Sequence, residues 1–184
     1  MKIHSVKFNF IMNFIMAASS IVFPLITFPY VSRVLMAAGN GKVATASAVI
    51  TYFNMFASLG IPTYGIRACA KVRDDRDKLS QTVQELLIIN SVTMLITCAA
   101  FVFTVALVPE FAAEKELYVI NGIGMVLNMF AITWLYNALE QYAYITVCNL
   151  LVKLVSLVLM LLMVKSPDDY ILYGGITMFA SSAS

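Results

Sequence analysis

The sequence predicts an all-α fold, a polytopic transmembrane helical bundle of about six spans. Three observations carry that prediction. Five apolar segments of 22 to 30 residues follow one another along the 184-residue chain, and a hydrocarbon core of roughly 30 Å needs about 20 helical residues. Hydrophobic residues make up 61% of the chain and charged residues 12%, about half the charged share of a soluble domain. A backbone in lipid must satisfy its own polar groups, so segments of this length are helices.

The first span is Phe8 to Ser32. The tail before it, Met1 to Lys7, carries Lys2, His4 and Lys7. The apolar run is too long for a signal-peptide core and no small-residue cleavage site follows a short one, so it reads as a membrane helix. At 100° per residue, Asn9, Asn13, Ser20, Pro24 and Thr27 fall within about 80° of arc. Pro24 and Pro29 each remove a backbone hydrogen bond, which predicts either a hinge or a tolerated bend.

The second span, Val43 to Ile66, carries a similar stripe of Ser47, Thr51, Asn54 and Ser58. Gly60, Pro62 and Gly65 interrupt its end. The hydrophilic stretch Arg67 to Lys78 reads as a solvated turn. The third span, Leu79 to Val108, aligns Asn90, Thr93, Thr97 and Thr104, and Glu85 in its first turns is expected to pair with an Arg or Lys. The fourth, Leu117 to Leu139, places Asn121 and Asn128 on one side and Thr133, Asn137 and Glu140 on another. Trp134, Tyr136, Tyr142 and Tyr144 cluster at its end as an interfacial aromatic belt would.

The fifth span, Ala143 to Val164, lines Thr146, Asn149, Lys153 and Ser156 along one face. Lys153 is the eleventh of its 22 residues. A charge at that depth costs about 2.5–3.5 kcal/mol on insertion scales, so it pairs or lines a hydrated path. Glu140 is one candidate partner. After Asp168 and Asp169 a sixth apolar segment, Tyr170 to Ser184, covers only about 22 Å as a helix. The expectation is one transmembrane domain, residues 1–184, that forms part of a longer transporter.

Polar stripes on membrane helices admit two readings, interhelical hydrogen bonding or a hydrated cavity. The charges give orientation. Seven positives, in the tail and in Arg67 to Lys78, face four (Arg33, Lys42, Lys115 and Lys165) on the other side. The excess predicts a cytoplasmic N-terminus. A net charge of +2 gives no argument for nucleic acid. Cys69, Cys98 and Cys148 are far apart and form no metal-ligand pair. No Gly-rich phosphate loop ends in Lys-Ser or Lys-Thr, and no paired carboxylates stand at a catalytic spacing. The reading is of a protein that is not an enzyme and takes no cofactor.

The run PLITFPYVSRVL (Pro24 to Leu35) resembles the first-helix signature of bacterial Wzx-like oligosaccharide flippases. ASLGIPTYGIR (Ala57 to Arg67) is similar to that family's second-helix end, and Trp134 to Lys153 to its fourth-to-fifth helix turn. The resemblance implies the N-terminal bundle of a two-lobe transporter of the multidrug, oligosaccharidyl-lipid and polysaccharide exporter superfamily. It further implies a bacterial inner-membrane location and a lipid-linked oligosaccharide, carried on undecaprenyl diphosphate, as substrate. Polysaccharide polymerase and chain-length machinery would be partners. By motif position, Arg33, Arg67 and Lys153, with Asn149 beside Lys153, are the implied substrate-binding residues. Two positions depart from the family pattern. Lys42 stands where a neutral residue is commoner, and Cys148 where an Arg often stands. An ion-coupled multidrug exporter of the same superfamily is one alternative, although Glu85 is the only acid well within a span. An inactive truncated membrane protein is the other.

Overall fold

The computed structural model describes residues 5–128 and 131–182. Lys2 and His4 of the tail and Ala183 and Ser184 of the sixth segment lie outside them. Among the described residues the chain is helical with no strand. Five helical stretches are long and apolar enough to cross a membrane: Lys7–Val34, Met36–Lys71, Arg76–Leu107, Lys115–Ala138 and Tyr142–Met163.

Helix α1 (Val6–Val34) starts at Ser5, whose hydroxyl accepts from the Phe8 amide at 3.3 Å. It runs unbroken through Pro24 and Pro29. Helix α2 (Met36–Ser58) begins at once. The reversal is made by Leu35 and by Met36, whose φ of 56° lies in the left-handed region. The stretch from Met36 to Lys42, expected as a loop, is therefore helical. Its Gly39 fits against the Pro167 carbonyl, 3.4 Å from where a Cβ would stand.

The second span does break near its end. Leu59 and Gly60 are both left-handed, with φ of 42° and 74°, and α3 (Ile61–Lys71) restarts with Pro62 in its first turn. A proline there forfeits no hydrogen bond, because the first helical amides have no acceptor. Helix α4 (Arg76–Leu107) is capped by Asp75, which accepts from the Lys78 amide. It is followed by α5 (Pro109–Ala113), α6 (Lys115–Asn128), α7 (Thr133–Ala138) and α8 (Tyr142–Met163). A single 3-10 turn at Pro167–Asp169, closed by a reciprocal Ser166–Asp169 capping box, leads into α9 (Tyr170–Ser182).

Two seams organise the bundle. Helices α1 and α8 lie parallel in a fixed register: Thr146 Oγ1 donates to the Met12 carbonyl at 3.1 Å, Lys153 Nζ to Ser19 Oγ at 2.9 Å, and the Tyr30 hydroxyl to the Val164 carbonyl at 2.8 Å. Each pair is 134 residues apart in sequence. Helices α6 and α9 are also parallel and meet on glycine: a methyl added at Gly124 would stand 2.7 Å from Met178 Cε, and one at Gly174 2.5 Å from Leu117. Close backbone approach on small residues is how membrane helices gain packing when lipid supplies no hydrophobic drive. Helix α2 packs on α4, α6 and α9. Phe53 and Phe101 meet edge to face at 5.3 Å between ring centroids.

Ion pairs lie at the two ends of the bundle. At the α5 end, Lys42 Nζ lies 2.6 Å from Glu114 Oε1, and the Tyr170 hydroxyl donates to Glu114 Oε2 at 2.7 Å. At the α3 end, Arg73 meets Glu140 at 2.8 Å.

Candidate functional site

The α2 stripe faces a groove. Two adjoining cavities, of about 360 and 280 Å³, share Thr51, Asn54 and Asn128. Asn90 of α4, Ser58 and Trp134 complete the wall nearer the α2–α3 break, while Ser47, Thr177 and Ser181 extend it toward the other end. From Ser58 to Ser47 the helix rises about 16 Å, roughly half the hydrocarbon thickness.

Local sequence explains the groove. Thr51, Asn54 and Ser58 recur at helical spacing, so one face of α2 is polar. Helix α4 is held beside it by Thr93, whose hydroxyl donates to the Ala57 carbonyl at 2.7 Å. Trp134 is fixed by α3, since Gly65 lets the indole approach until an added Cβ would lie 2.7 Å from Cε3. The wall carries no charge. The carboxamides of Asn54, Asn90 and Asn128 come from three helices, and their side chains make no hydrogen bond to any described residue. Such a wall offers donors and acceptors together. A larger hollow of about 650 Å³ between α4 and α6 is floored by Phe101 and walled by Val102, Val119 and Ile123. Apart from Lys115 and Tyr118 its lining is apolar.

The four residues implied by the resemblance stand elsewhere. Lys153 and Asn149 belong to the α1–α8 seam. Asn149 is buried. Lys153 is half-buried and donates to Ser19 Oγ at 2.9 Å and to Ser20 Oγ at 3.0 Å. Both serine hydroxyls in turn donate hydrogen bonds to the Met16 carbonyl. Glu140 is taken by Arg73, so the expected pair between Glu140 and Lys153 does not form. No carboxylate stands within ion-pair distance of Lys153 among the described residues. Glu85 also departs from expectation: it accepts from Gln81 Nε2 at 3.1 Å rather than from a cation.

Arg33 ends α1 and is exposed. It lies fourteen residues beyond Ser19, or about 21 Å along the helix. Arg67 is exposed on α3, on the face opposite the buried Ile61, Gly65 and Cys69. The three cations therefore form no common cluster. Reading the sequence alone found the α2 stripe and Asn90 but not their union with Asn128, Thr177 and Ser181, which only tertiary packing supplies. Trp134 read as an interfacial belt residue because the Gly65 contact that turns it inward spans distant positions.

Comparison with known proteins gives the following. The sequence profile of the family described as "Polysaccharide biosynthesis protein" matches residues 6–184. A protein of Escherichia coli (strain K12) named "Putative O-antigen transporter" is 25% identical over 170 residues, covering 92% of this chain and 41% of that protein. A protein of the same name from Shigella dysenteriae is 24% identical over 165 residues, covering 90% of this chain and 41% of its own length. The chain thus spans about two-fifths of the length of the curated relatives it matches. No solved structure matches it.

Proposed function

The chain belongs to the polysaccharide biosynthesis protein family, and from that premise we propose that it forms the N-terminal lobe of a flippase for lipid-linked oligosaccharides. The substrate is a sugar repeat unit on a polyprenyl diphosphate, undecaprenyl diphosphate in the bacterial inner membrane. The lobe takes the head group from the inner leaflet, and rocking against a second lobe exposes it to the outer one. The N-terminus faces the cytoplasm, following the positive charges of Arg67 to Lys78. The work is transport rather than catalysis, and the polymerase and chain-length machinery act on the delivered product.

One observation carries the reading. Lys153 sits midway along α8, and among the described residues it is bonded only to serine hydroxyls. A membrane-buried cation without a carboxylate is costly. An ammonium has three N–H donors, and two are engaged here. A diphosphate accepting the third would compensate the charge with a charge-assisted bond. Asn149 adds an amide on the same face. Arg33 and Arg67, near opposite ends of the bundle, suit contact with the anion on arrival and departure. The ion-coupled exporter reading finds less support, since Glu85 is exposed and bonded to Gln81.

The test is substitution at the chromosomal locus. Lys153→Ala is expected to lower surface polysaccharide at least about tenfold while protein level falls less, because one lost charge-assisted bond is worth about 1.5–3 kcal/mol. Lys153→Arg retains part of the export, since the charge survives in a different donor geometry. Normal export by Lys153→Ala would remove the residue from the substrate path.

A further inference from the structure

The groove along α2 does not hold the diphosphate, because no cation lines it. We propose that it is a separate subsite for the uncharged sugars of the repeat unit, read by the carboxamides of Asn54, Asn90 and Asn128 with Thr51 and Ser58 alongside and Trp134 as its aromatic wall. This rests on the transport reading above and divides the substrate between two surfaces, with sugars on α2 and anion on the α1–α8 seam.

The chemistry favours saccharide over other polar ligands. Each carboxamide presents an acceptor oxygen and two donor hydrogens, which matches neighbouring sugar hydroxyls that donate and accept in turn. The three side chains come from α2, α4 and α6 and are not engaged with any described residue. They are thus available to a ligand as donors and acceptors, whereas the hydroxyls of Thr51 and Ser58 donate to the Ser47 and Met55 carbonyls and offer a sugar only their acceptor oxygens. The indole supplies the apolar surface that a sugar's C–H face needs. A metal ion or an organic cation would call for a carboxylate, and none of the lining residues is acidic. The cavity volumes, about 360 and 280 Å³, lie at the scale of small-molecule sites.

Trp134 is the chain's single tryptophan, so its emission reports the groove directly. The purified chain in detergent micelles is titrated with three uncharged tetrasaccharides (chitotetraose, maltotetraose and mannotetraose) and with inorganic pyrophosphate. The expected result is a saturable shift of Trp134 emission with at least one sugar and none with pyrophosphate. Raised salt should leave the sugar response unchanged, because screening acts on charges. Asn54→Leu and Asn90→Leu should weaken half-saturation by about tenfold or more. Should either fail to fold by circular dichroism, Thr51→Leu serves, because Thr51 is exposed and its loss touches no core contact. No response to any of the three sugars, or a response abolished by salt, overturns the proposal. A parallel arm measures melting temperature with farnesyl diphosphate. Stabilisation of the wild type but not of Lys153→Ala, without any sugar response, would sink the sugar subsite and leave the transport reading standing. Loss of both responses would sink both.

Discussion

Glu114 shows how much of the structure turns on single side chains. It stands between α5 and α6, yet it binds Lys42 of α2 and the hydroxyl of Tyr170 of α9. Lys42 also lies 4.7 Å from the centre of the Tyr170 ring. Three turns of the bundle are tied through one carboxylate. The Lys42 ammonium first, and then the Tyr170 hydroxyl, hold the Glu114 carboxyl below the usual glutamate range. A depressed pKa means that the folded state binds the proton less readily than the unfolded one. The stabilisation is therefore present above the unfolded value, near pH 4.3, and is lost as pH falls through the lower folded value. Glu114→Gln should lower stability by about 1 kcal/mol or less at neutral pH, because the pair is partly exposed and screened. The difference from wild type should vanish in acid. Thermal unfolding of both proteins in detergent from pH 7 to pH 3 checks this, and a constant difference across the range would show that the carboxylate charge is not the cause. Lys42 itself read from sequence as a departure from a family pattern. Its partners are 72 and 128 positions away, so no local pattern could have announced its role.

At the scale of elements, seams on small and hydroxyl residues hold the helices together. Helix α9 fits α6 because Gly124 and Gly174 leave room for Met178 and Leu117, and Ser182 Oγ closes the contact on the Gly124 carbonyl at 3.0 Å. Gly124→Leu should cost about 1–3 kcal/mol by overpacking. The check is thermal unfolding of the variant against Ile123→Leu, a volume-conserving control on the exposed face of the same helix. Equal melting temperatures would contradict the close packing. The spans and their polar stripes were legible in the sequence because hydropathy and the 3.6-residue period are local properties. Element ends were less so. Residues 36–42, rich in glycine and bounded by Lys42, read as a loop but continue α2, since the left-handed Met36 makes the reversal in one step. The prolines of α1 left a hinge and a tolerated bend both open, and the helix runs unbroken through them. The groove was half legible. Ser47, Thr51, Asn54 and Ser58 declared a polar face, but nothing local showed which helices would close over it.

On the scale of the molecule, the two polar surfaces are proposed to serve two parts of one amphipathic cargo. On that proposal Lys153 and its serines would take the anion, and the α2 groove the sugars. Both surfaces lie on helical stretches long and apolar enough to cross a membrane, Met36–Lys71 and Tyr142–Met163. Leaflet accounting most directly tests the proposal that the protein carries lipid-linked repeat units from one leaflet to the other. Radiolabelled lipid-linked oligosaccharide is quantified in intact spheroplasts and in inverted membrane vesicles by its accessibility to a glycan-modifying reagent that cannot cross the bilayer. Deleting the gene should make the labelled lipid accumulate in a form reached only in inverted vesicles, and Lys153→Ala at the native locus should reproduce this distribution with the protein still present. An unchanged distribution between the two leaflets in the deletion strain would contradict the proposal.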